Sequence, residues 1–599
     1  MSKSYAVQQA QAHDDEVLGK AYDPRIARRL LGLLRPYPRQ LALTMLFMGA
    51  TALATLAVPY LIKQAIDRAI AAGDLEKLWP YIGGLALAGV ITWLGTGLRV
   101  YVTFWLGLQV THDVRVRLFR QLQRLSLRFY NDTPLGGLMS RVQNDVDVLN
   151  ELVSQGVANA LSDLLTVVGI VVLMFAMDVE LSLITFTILP VMVLLTAWWR
   201  VRARESYRAV RRAIGRVNAA LQENVSGVRV VQAFGREERN LEQFDTLNCA
   251  HLQANIRSGL LSAFFYPAVD LLGAIGMAIV VLFGGLQLAA GAISAGVLVA
   301  FLLYVTRFFD PIRDLAQRYN TLQSAMAAGE RIFEVLDLEP ELQDAPGAVD
   351  LPPLRGEVRF DHVTFGYEEG ASVLKDINLH VSPGETIAIV GETGAGKSSL
   401  MSILSRFYDV QQGRITVDGY DVRMVTQTSL RRQVAVVLQD PFLFSGSVAE
   451  NIRYGRLDAS DEEVEAAARA VGAHEFIMRL PDGYNTQLGE RGSRLSVGQR
   501  QLISFARALL ADPRILVLDE ATASVDTETE LMIQNALRHL LKGRTAFVIA
   551  HRLSTIKEAD RIIVLDRGRM IEEGRHEELL ARGGQYARLY RMSLHGIDA

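Results

Sequence analysis

A chain of 599 residues is too long for one ordinary domain and predicts several. Half of its residues are hydrophobic, mean hydropathy is +0.19 and net charge is −3, so the charge balance gives no ground for a nucleic-acid partner. The single cysteine, Cys249, excludes an intrachain disulfide framework and a Cys-based zinc site.

Residues 1–20 are polar, lack a continuous apolar core and read as a disordered cytoplasmic tail without a cleavable signal peptide. Asp23-Pro24 is a helix start, with Asp as cap and Pro in the first turn. Arg25–Arg35 alternates basic and apolar faces, which predicts an amphipathic helix on the inner membrane surface. Six apolar segments follow: Leu41–Ile62, Trp79–Leu106, Val157–Met177, Leu181–Trp199, Ser258–Leu286 and Ala292–Phe309. A spanning helix needs about 20 mainly apolar residues, and these meet or approach that length. Trp79, Trp198 and Trp199 sit at segment ends, as interfacial aromatics do.

Two connections are long and polar, Val110–Val153 and Arg200–Arg257. The second carries Arg200, Arg202, Arg204, Arg208, Arg211, Arg212 and Arg216, which places both connections and both termini in the cytoplasm. Leu118–Phe129 and Ala209–Gln222 have helical periodicity, with breaks expected at Asn131–Gly137 and Asn224–Val228. Each connection is thus expected to be a pair of long helices with a short transverse segment at the tip. The resulting division is a membrane domain over 21–330, a Pro-marked linker over 331–355 and an α/β domain over 356–599.

The α/β region holds Gly391–Ser399, GETGAGKSS, which matches the phosphate-binding loop pattern. It lies between a predicted strand, Thr386–Val390, and a predicted helix from Leu400, the context this loop requires. Gly391, Gly394 and Gly396 let backbone N–H groups turn toward phosphate oxygens at a helix N-terminus. Lys397 is placed to neutralise phosphate charge, Ser398 to offer a hydroxyl to Mg²⁺, and Ser399 completes the nucleotide-binding set. Downstream, the apolar run Ile515–Leu518 ends in Asp519 and Glu520. Asp519 suits the Mg²⁺ shell and Glu520 suits activation of an attacking water. The fold class expected is therefore a six-helix α-helical membrane domain followed by an α/β P-loop domain that binds a nucleotide with Mg²⁺. These motifs alone name only a large class of nucleotide enzymes, and the segments around them narrow it to an ATPase domain that uses ATP.

Between these two motifs lies Leu495-Ser-Val-Gly-Gln-Arg-Gln501, which resembles the signature of ATP-binding cassette (ABC) transporters. Gln439, heading Gln-Asp-Pro-Phe, is similar to that family's Q-loop. Ser524-Val-Asp526 is similar to its D-loop, His551 to its switch histidine and Tyr367 to its adenine-stacking aromatic. Thr486–Gly492 resembles the segment that meets the membrane domain in exporters. The resemblance runs from about residue 21 to the end and has the layout of an exporter half-transporter.

The resemblance implies a composite ATP site between two cassettes. One contributes Lys397, Ser398, Gln439, Asp519, Glu520 and His551. The other contributes Ser496, Gly498 and Gln499, with Asp526 of the D-loop also at the nucleotide. Gln439 joins Ser398 and Asp519 as a metal-shell residue, and Glu520, His551 and Gln439 form the catalytic set. ATP then joins the cassettes and hydrolysis releases them, so the chain needs a second half-transporter. Val497 stands where the usual signature has its first glycine, while Glu520 is intact, a combination that leans toward a heterodimer without excluding a homodimer. Membrane lipid is the other partner, and nucleic acid is not one.

Few polar anchors in the apolar segments favour a small hydrophobic or amphipathic cargo. Arg99, Asp163, Asp270 and Arg307 are the ionisable candidates for contacting it. Phe264, Phe265, Tyr266, Phe301 and Tyr304 are the candidates for lining an apolar cavity, with helix packing or lipid contact as the alternative. Export is the function expected, in the cell (inner) membrane. The alternatives are a membrane-anchored ATPase that regulates a partner, a nucleic-acid machine, which the apolar segments oppose, and an importer, which the fusion of both parts opposes.

Overall fold

The computed structural model describes residues 23–368, 370–519, 527–550 and 553–595. The expected tail over 1–20 and the expected site residues Glu520, Asp526 and His551 lie outside the described residues. Contacts divide the chain into two units. One comprises the residues up to Gln123 with Leu135–Leu338; the other takes Arg124–Pro134 with the chain from Glu339 onward.

The first unit is helical. Among its described residues five helices are long and apolar enough to cross a membrane: Pro38–Ile70, Leu75–Leu122, Leu135–Met177, Val179–Ser226 and Glu237–Ala289. The sixth expected segment begins helix Ala295–Asp337, whose described apolar stretch is Ala295–Phe309. Helix Glu237–Ala289 has 53 residues. At 1.5 Å per residue it is about 80 Å long, more than twice the ~30 Å hydrocarbon thickness. The extra length is polar, so each apolar segment is one part of a longer rod. Asp178 caps the fourth element through its carboxylate to Leu181 N (2.7 Å). That element breaks at Phe186–Thr187 because Pro190 cannot donate to Phe186 and crowds its carbonyl.

The N-terminal helix, Pro24–Gly32, starts as the sequence predicts, with the Asp23 carboxylate accepting from Arg25 N at 2.7 Å. Its Ala27 and Leu30 are buried. Ile26 and Leu30 lie where Gly329 leaves room: a Cβ there would stand about 3.2 Å from both. Arg29 stacks over Phe333 (4.0 Å) and reaches Asp337 in a two-pronged ion pair. Part of the apolar face is thus used on the last helix of its own unit.

Three boundaries differ from expectation. The linker was expected from 331, but the last helix continues to Asp337 with Ile332, Phe333 and Val335 buried. No Gly or Pro interrupts the chain there before Pro340. The first short helix at a break is Leu127–Asp132 rather than Asn131–Gly137. It stops at Thr133 because a residue before proline, here Pro134, avoids helical backbone, while Gly136 and Gly137 sit inside the next helix, Leu135–Ser140. The second is helix Val228–Ala233 rather than Asn224–Val228. Gly227 and Gly235, the latter at φ +57°, make its two corners, and Asn224 remains helical, accepting from Asn240 across the turn.

The second unit is built on two larger sheets. Strands β1 (Val358–Phe365), β2 (Leu374–Val381), β4 (Gln412–Val417) and β5 (Tyr420–Asp421) form an antiparallel sheet in the order β2-β1-β4-β5. Strands β3 (Thr386–Val390), β6 (Val434–Val437), β9 (Ile515–Asp519), β10 (Thr545–Ile549), β11 (Arg561–Asp566) and β12 (Arg569–Gly574) form the other, in the order β12-β11-β3-β10-β9-β6. All pairings in it are parallel except β11 with β12. Every residue of β10 is buried, as expected for a parallel strand covered on both faces. A small pair, β7 (Gly446–Ser447) with β8 (Gln487–Leu488), lies apart. Leu351 and Leu354, from the expected linker, join the core under β1 and β2.

Candidate functional site

In a parallel sheet the C-terminal strand ends form one edge, and loops leaving that edge make the site. Three described segments meet this condition: the loop after β3, Gln439 after β6 and Asp519 at the end of β9.

The loop after β3 has the shape that phosphate binding requires. Gly394 and Gly396 have φ of +85° and +105°, a region that side chains resist. A Cβ on Gly391 would stand 2.3 Å from Leu565 O, and one on Gly396 would stand 2.7 Å from Leu374 Cδ2, so space excludes larger residues too. Helix Lys397–Leu404 starts directly after Gly396 with its first N–H groups open to the loop. Lys397 is buried, and its ammonium donates to Gly391 O (2.7 Å) and Glu392 O (3.0 Å) at the loop's own rim. Burial lowers its pKa from the ordinary lysine value, and the Asp519 carboxylate opposes that shift. Lys397 and Asp519 therefore sense each other's charge across the strand edge.

Ser398 is exposed on the first turn of the same helix, Asp519 is half-buried and Gln439 is exposed. A hydroxyl, a carboxylate and an amide oxygen are hard donors suited to Mg²⁺ rather than to a soft metal. Ser399 is buried on the same helix, and its Oγ shares a 3.0 Å hydrogen bond with the Tyr367 hydroxyl.

Tyr367 is 37% exposed, consistent with a ring available for stacking. Phe365 and Tyr408 meet it edge-on, with ring centroids at 5.0 and 5.2 Å. The sequence did not single out Tyr408; only the ring packing identifies it.

The signature segment starts a helix, Val497–Leu510. Ser496 is its cap: Gln499 N donates to Ser496 Oγ (3.2 Å), and Ser496 N donates to Gln499 Oε1 (3.0 Å). These bonds engage two of the side chains expected to meet the nucleotide. Gly498 is buried within the helix, and Val497 is 38% exposed at its first residue without disturbing the cap. Arg507, farther along, donates to Phe442 O (3.0 Å) and to Asn451 O and Oδ1 (2.9 and 3.0 Å). It thereby ties this helix to the segment that follows Gln439. Burial lowers its pKa from the ordinary arginine value, so these carbonyls supply the solvation it has lost.

The membrane candidates fare differently. Arg307 Nη1 donates to Thr55 O (2.8 Å), and the Tyr304 hydroxyl donates to Leu56 O (2.7 Å). Thr55 O is the acceptor four residues before Pro59, which has no N–H to give it. Phe265, Phe301 and Tyr304 are fully buried in the helical core, Phe265 stacked on Trp199 at 4.4 Å, so they pack helices and line no open cavity. Helical spacing turns these residues inward, whereas Phe264, beside Trp198, is exposed and Tyr266 is half-buried. Arg99 Nη1 donates to Asn159 Oδ1 (2.7 Å), and Asp163 and Asp270 each have an interaction of their own.

Comparison with known proteins agrees with this architecture. The profile described as ABC transporter transmembrane region matches residues 41–312, and that described as ABC transporter matches residues 374–523. An ATP-dependent lipid A-core flippase of Syntrophus aciditrophicus (strain SB) is 38% identical over 572 residues, covering 95% of this chain and 94% of that protein. A fatty acid ABC transporter ATP-binding/permease protein of Mycobacterium bovis (strain ATCC BAA-935 / AF2122/97) is 44% identical over 471 residues, 79% of this chain and 74% of that one. A solved bacterial Atm1-family ABC exporter with ATP bound superposes with a TM-score of 0.77 at 33% identity, covering 93% of this chain and 98% of that chain. The chain belongs to the ABC transporter family, as an exporter-type, multi-pass membrane protein that carries the family's transmembrane region and its ATP-binding, ATP-hydrolysing domain in one polypeptide.

Proposed function

We propose that the chain is a primary active exporter that couples ATP hydrolysis to outward movement of a hydrophobic or amphipathic cargo, working with a second half-transporter. The observation that carries this reading is a phosphate loop with strained glycines and a separately capped signature helix in one unit, in the same chain as the apolar helices. The signature helix of a second chain brings N–H donors to the phosphate end of a nucleotide held by Gly391–Ser398. Ser398, Gln439 and Asp519 would hold Mg²⁺, which would supply positive charge against the phosphates. Lys397 supplies a fixed positive charge, Glu520 takes the proton of the attacking water, and His551 holds the closed geometry. The short helices Leu127–Asp132 and Val228–Ala233 carry closure toward the membrane, with both termini and the ATP-binding domain in the cytoplasm.

Relatives named for lipid A and fatty acid support a cargo with an acyl or similarly apolar part. The burial of Phe265, Phe301 and Tyr304 directs the search for cargo contacts to exposed residues such as Phe264. The test is an ATPase screen with phospholipids, fatty acids and amphipathic dyes on the chain purified alone and with any co-purifying partner. Stimulation by an amphiphile supports the reading. Activity of the chain alone decides for a homodimer, and activity only with a second chain decides for a heterodimer.

A further inference from the structure

Tyr408 is a tyrosine at a site where a phenylalanine would pack equally well. Its ring is 6% exposed and lies against Phe365 (5.6 Å) and edge-to-face against Tyr367 (5.2 Å, 87°). Its hydroxyl accepts a hydrogen bond from Asn131 Nδ2 at 3.0 Å. Asn131 belongs to the short helix Leu127–Asp132, which clusters with the ATP-binding unit. The other fastenings of that segment are different in kind: Arg128 pairs with Glu341 (2.7 Å), and Ser126 donates to the same carboxylate (3.3 Å). Those bonds hold it to the chain before β1 and do not involve the rings. Tyr367, for its part, is tied to the phosphate-loop helix through Ser399. One continuous series therefore runs from Ser399 to Tyr367, to Tyr408, to Asn131.

We propose that Tyr408 is a positioning residue that links the nucleobase platform Tyr367 to the helix Leu127–Asp132, so that this helix responds to the base of the nucleotide and not only to its phosphates. The proposal rests on the reading of Tyr367 as the surface on which adenine stacks. A base lying on Tyr367 fixes that ring. Its edge-to-face contact fixes Tyr408, and the Tyr408 hydroxyl then fixes Asn131. Phosphates alone occupy the loop without covering the ring, and the Ser399 bond to Tyr367 is already made before they bind.

The experiment is hydrogen exchange of the amides in residues 127–132 of the full-length protein in lipid nanodiscs, without nucleotide, with Mg·ATP and with Mg·tripolyphosphate. In the wild type, ATP slows exchange about fivefold, the scale set by holding one existing hydrogen bond more firmly, and tripolyphosphate leaves it within about twofold. Tyr408→Phe keeps the ring stack and the ATP affinity but loses the response, as does Asn131→Leu, and the double variant is no worse than either. A Tyr408→Phe protein that responds to ATP like the wild type overturns the proposal, as does an equal response to tripolyphosphate. Tyr367→Ala separates the two readings: ATP affinity unchanged in that variant sinks the platform itself, whereas weakened ATP binding with a normal Tyr408→Phe response sinks only the link.

Discussion

Arg307 donates a 2.8 Å hydrogen bond to the carbonyl of Thr55, the acceptor that Pro59 leaves without a helical donor. A charged residue in an apolar helix reads by default as a functional site. Here a backbone defect in the first apolar helix accounts for the charge, and Tyr304 serves the next carbonyl at Leu56. Arg307→Met leaves Thr55 O unsatisfied and destabilises the membrane unit by about 2 kcal/mol. Pro59→Ala restores the missing N–H, so Arg307→Met costs less in that background, with a coupling of about 1 kcal/mol. Thermal unfolding of the four proteins in nanodiscs measures it. Additive losses in the double variant would show that Arg307 does something else.

Arg406 is 2% exposed and sits just beyond the phosphate-loop helix in a positive-φ conformation. Its guanidinium donates to Val425 O (2.9 Å), Gln343 O (3.2 Å) and Asp409 (3.2 Å). It therefore fastens the segment after the last membrane-unit helix to the core below the nucleotide loop. Arg406→Met strands two carbonyls and is expected to cost about 3 kcal/mol, read as a fall in the unfolding temperature of the ATP-binding unit that saturating ATP only partly restores. A fall of under about 2 °C would show that the segment does not depend on it.

The hydrogen bond from Arg29 holds the Asp337 carboxyl below its ordinary pKa. The pair therefore contributes above the unfolded carboxylate pKa and is lost as pH falls through the lower folded value. Both side chains are substantially exposed, so solvent screening keeps the contribution small. Asp337→Asn is expected to remove most of the pH dependence of the protection factors in helix Pro24–Gly32 across the acid range, each measured against the intrinsic exchange rate at that pH. An unchanged pH profile in that variant would contradict the assignment.

Val497 leaves the signature helix start intact, since the Ser496–Gln499 box forms on either side of it and its own side chain is half-exposed. Val497→Gly therefore changes the helix start by under about 1 kcal/mol and ATPase by under about fivefold. A tenfold or larger rise in turnover would mean that the Val497 Cβ crowds the phosphate of the opposite nucleotide.

The legible parts of this chain were those set by local chemistry. The phosphate loop, the strand ending at Asp519 and the cap at Ser496 follow from short-range patterns that leave the backbone little choice. The apolar segments were legible for the same reason, because a run of apolar side chains has one place to go. The positions of the transverse helices were misread, since asparagine and glycine both signal breaks and only the corners at Gly227, Gly235 and Thr133-Pro134 decide between them. Tyr408 and Arg406 carried no signal at all, and Asn131 signalled only a break in the chain. Their roles depend on partners 19 to 277 residues away, and periodicity cannot reach that far.

The central claim is that ATP hydrolysis at the Lys397 loop drives export of an amphiphile. Uptake of a fluorescent fatty acid or phospholipid analogue into inverted membrane vesicles tests it most directly, with wild type, Lys397→Met and Glu520→Gln compared side by side. The expected result is ATP-dependent accumulation by the wild type and none by either variant, with Glu520→Gln still binding ATP. Accumulation by Lys397→Met at the wild-type rate, or near-normal ATPase turnover by Glu520→Gln, would contradict the account.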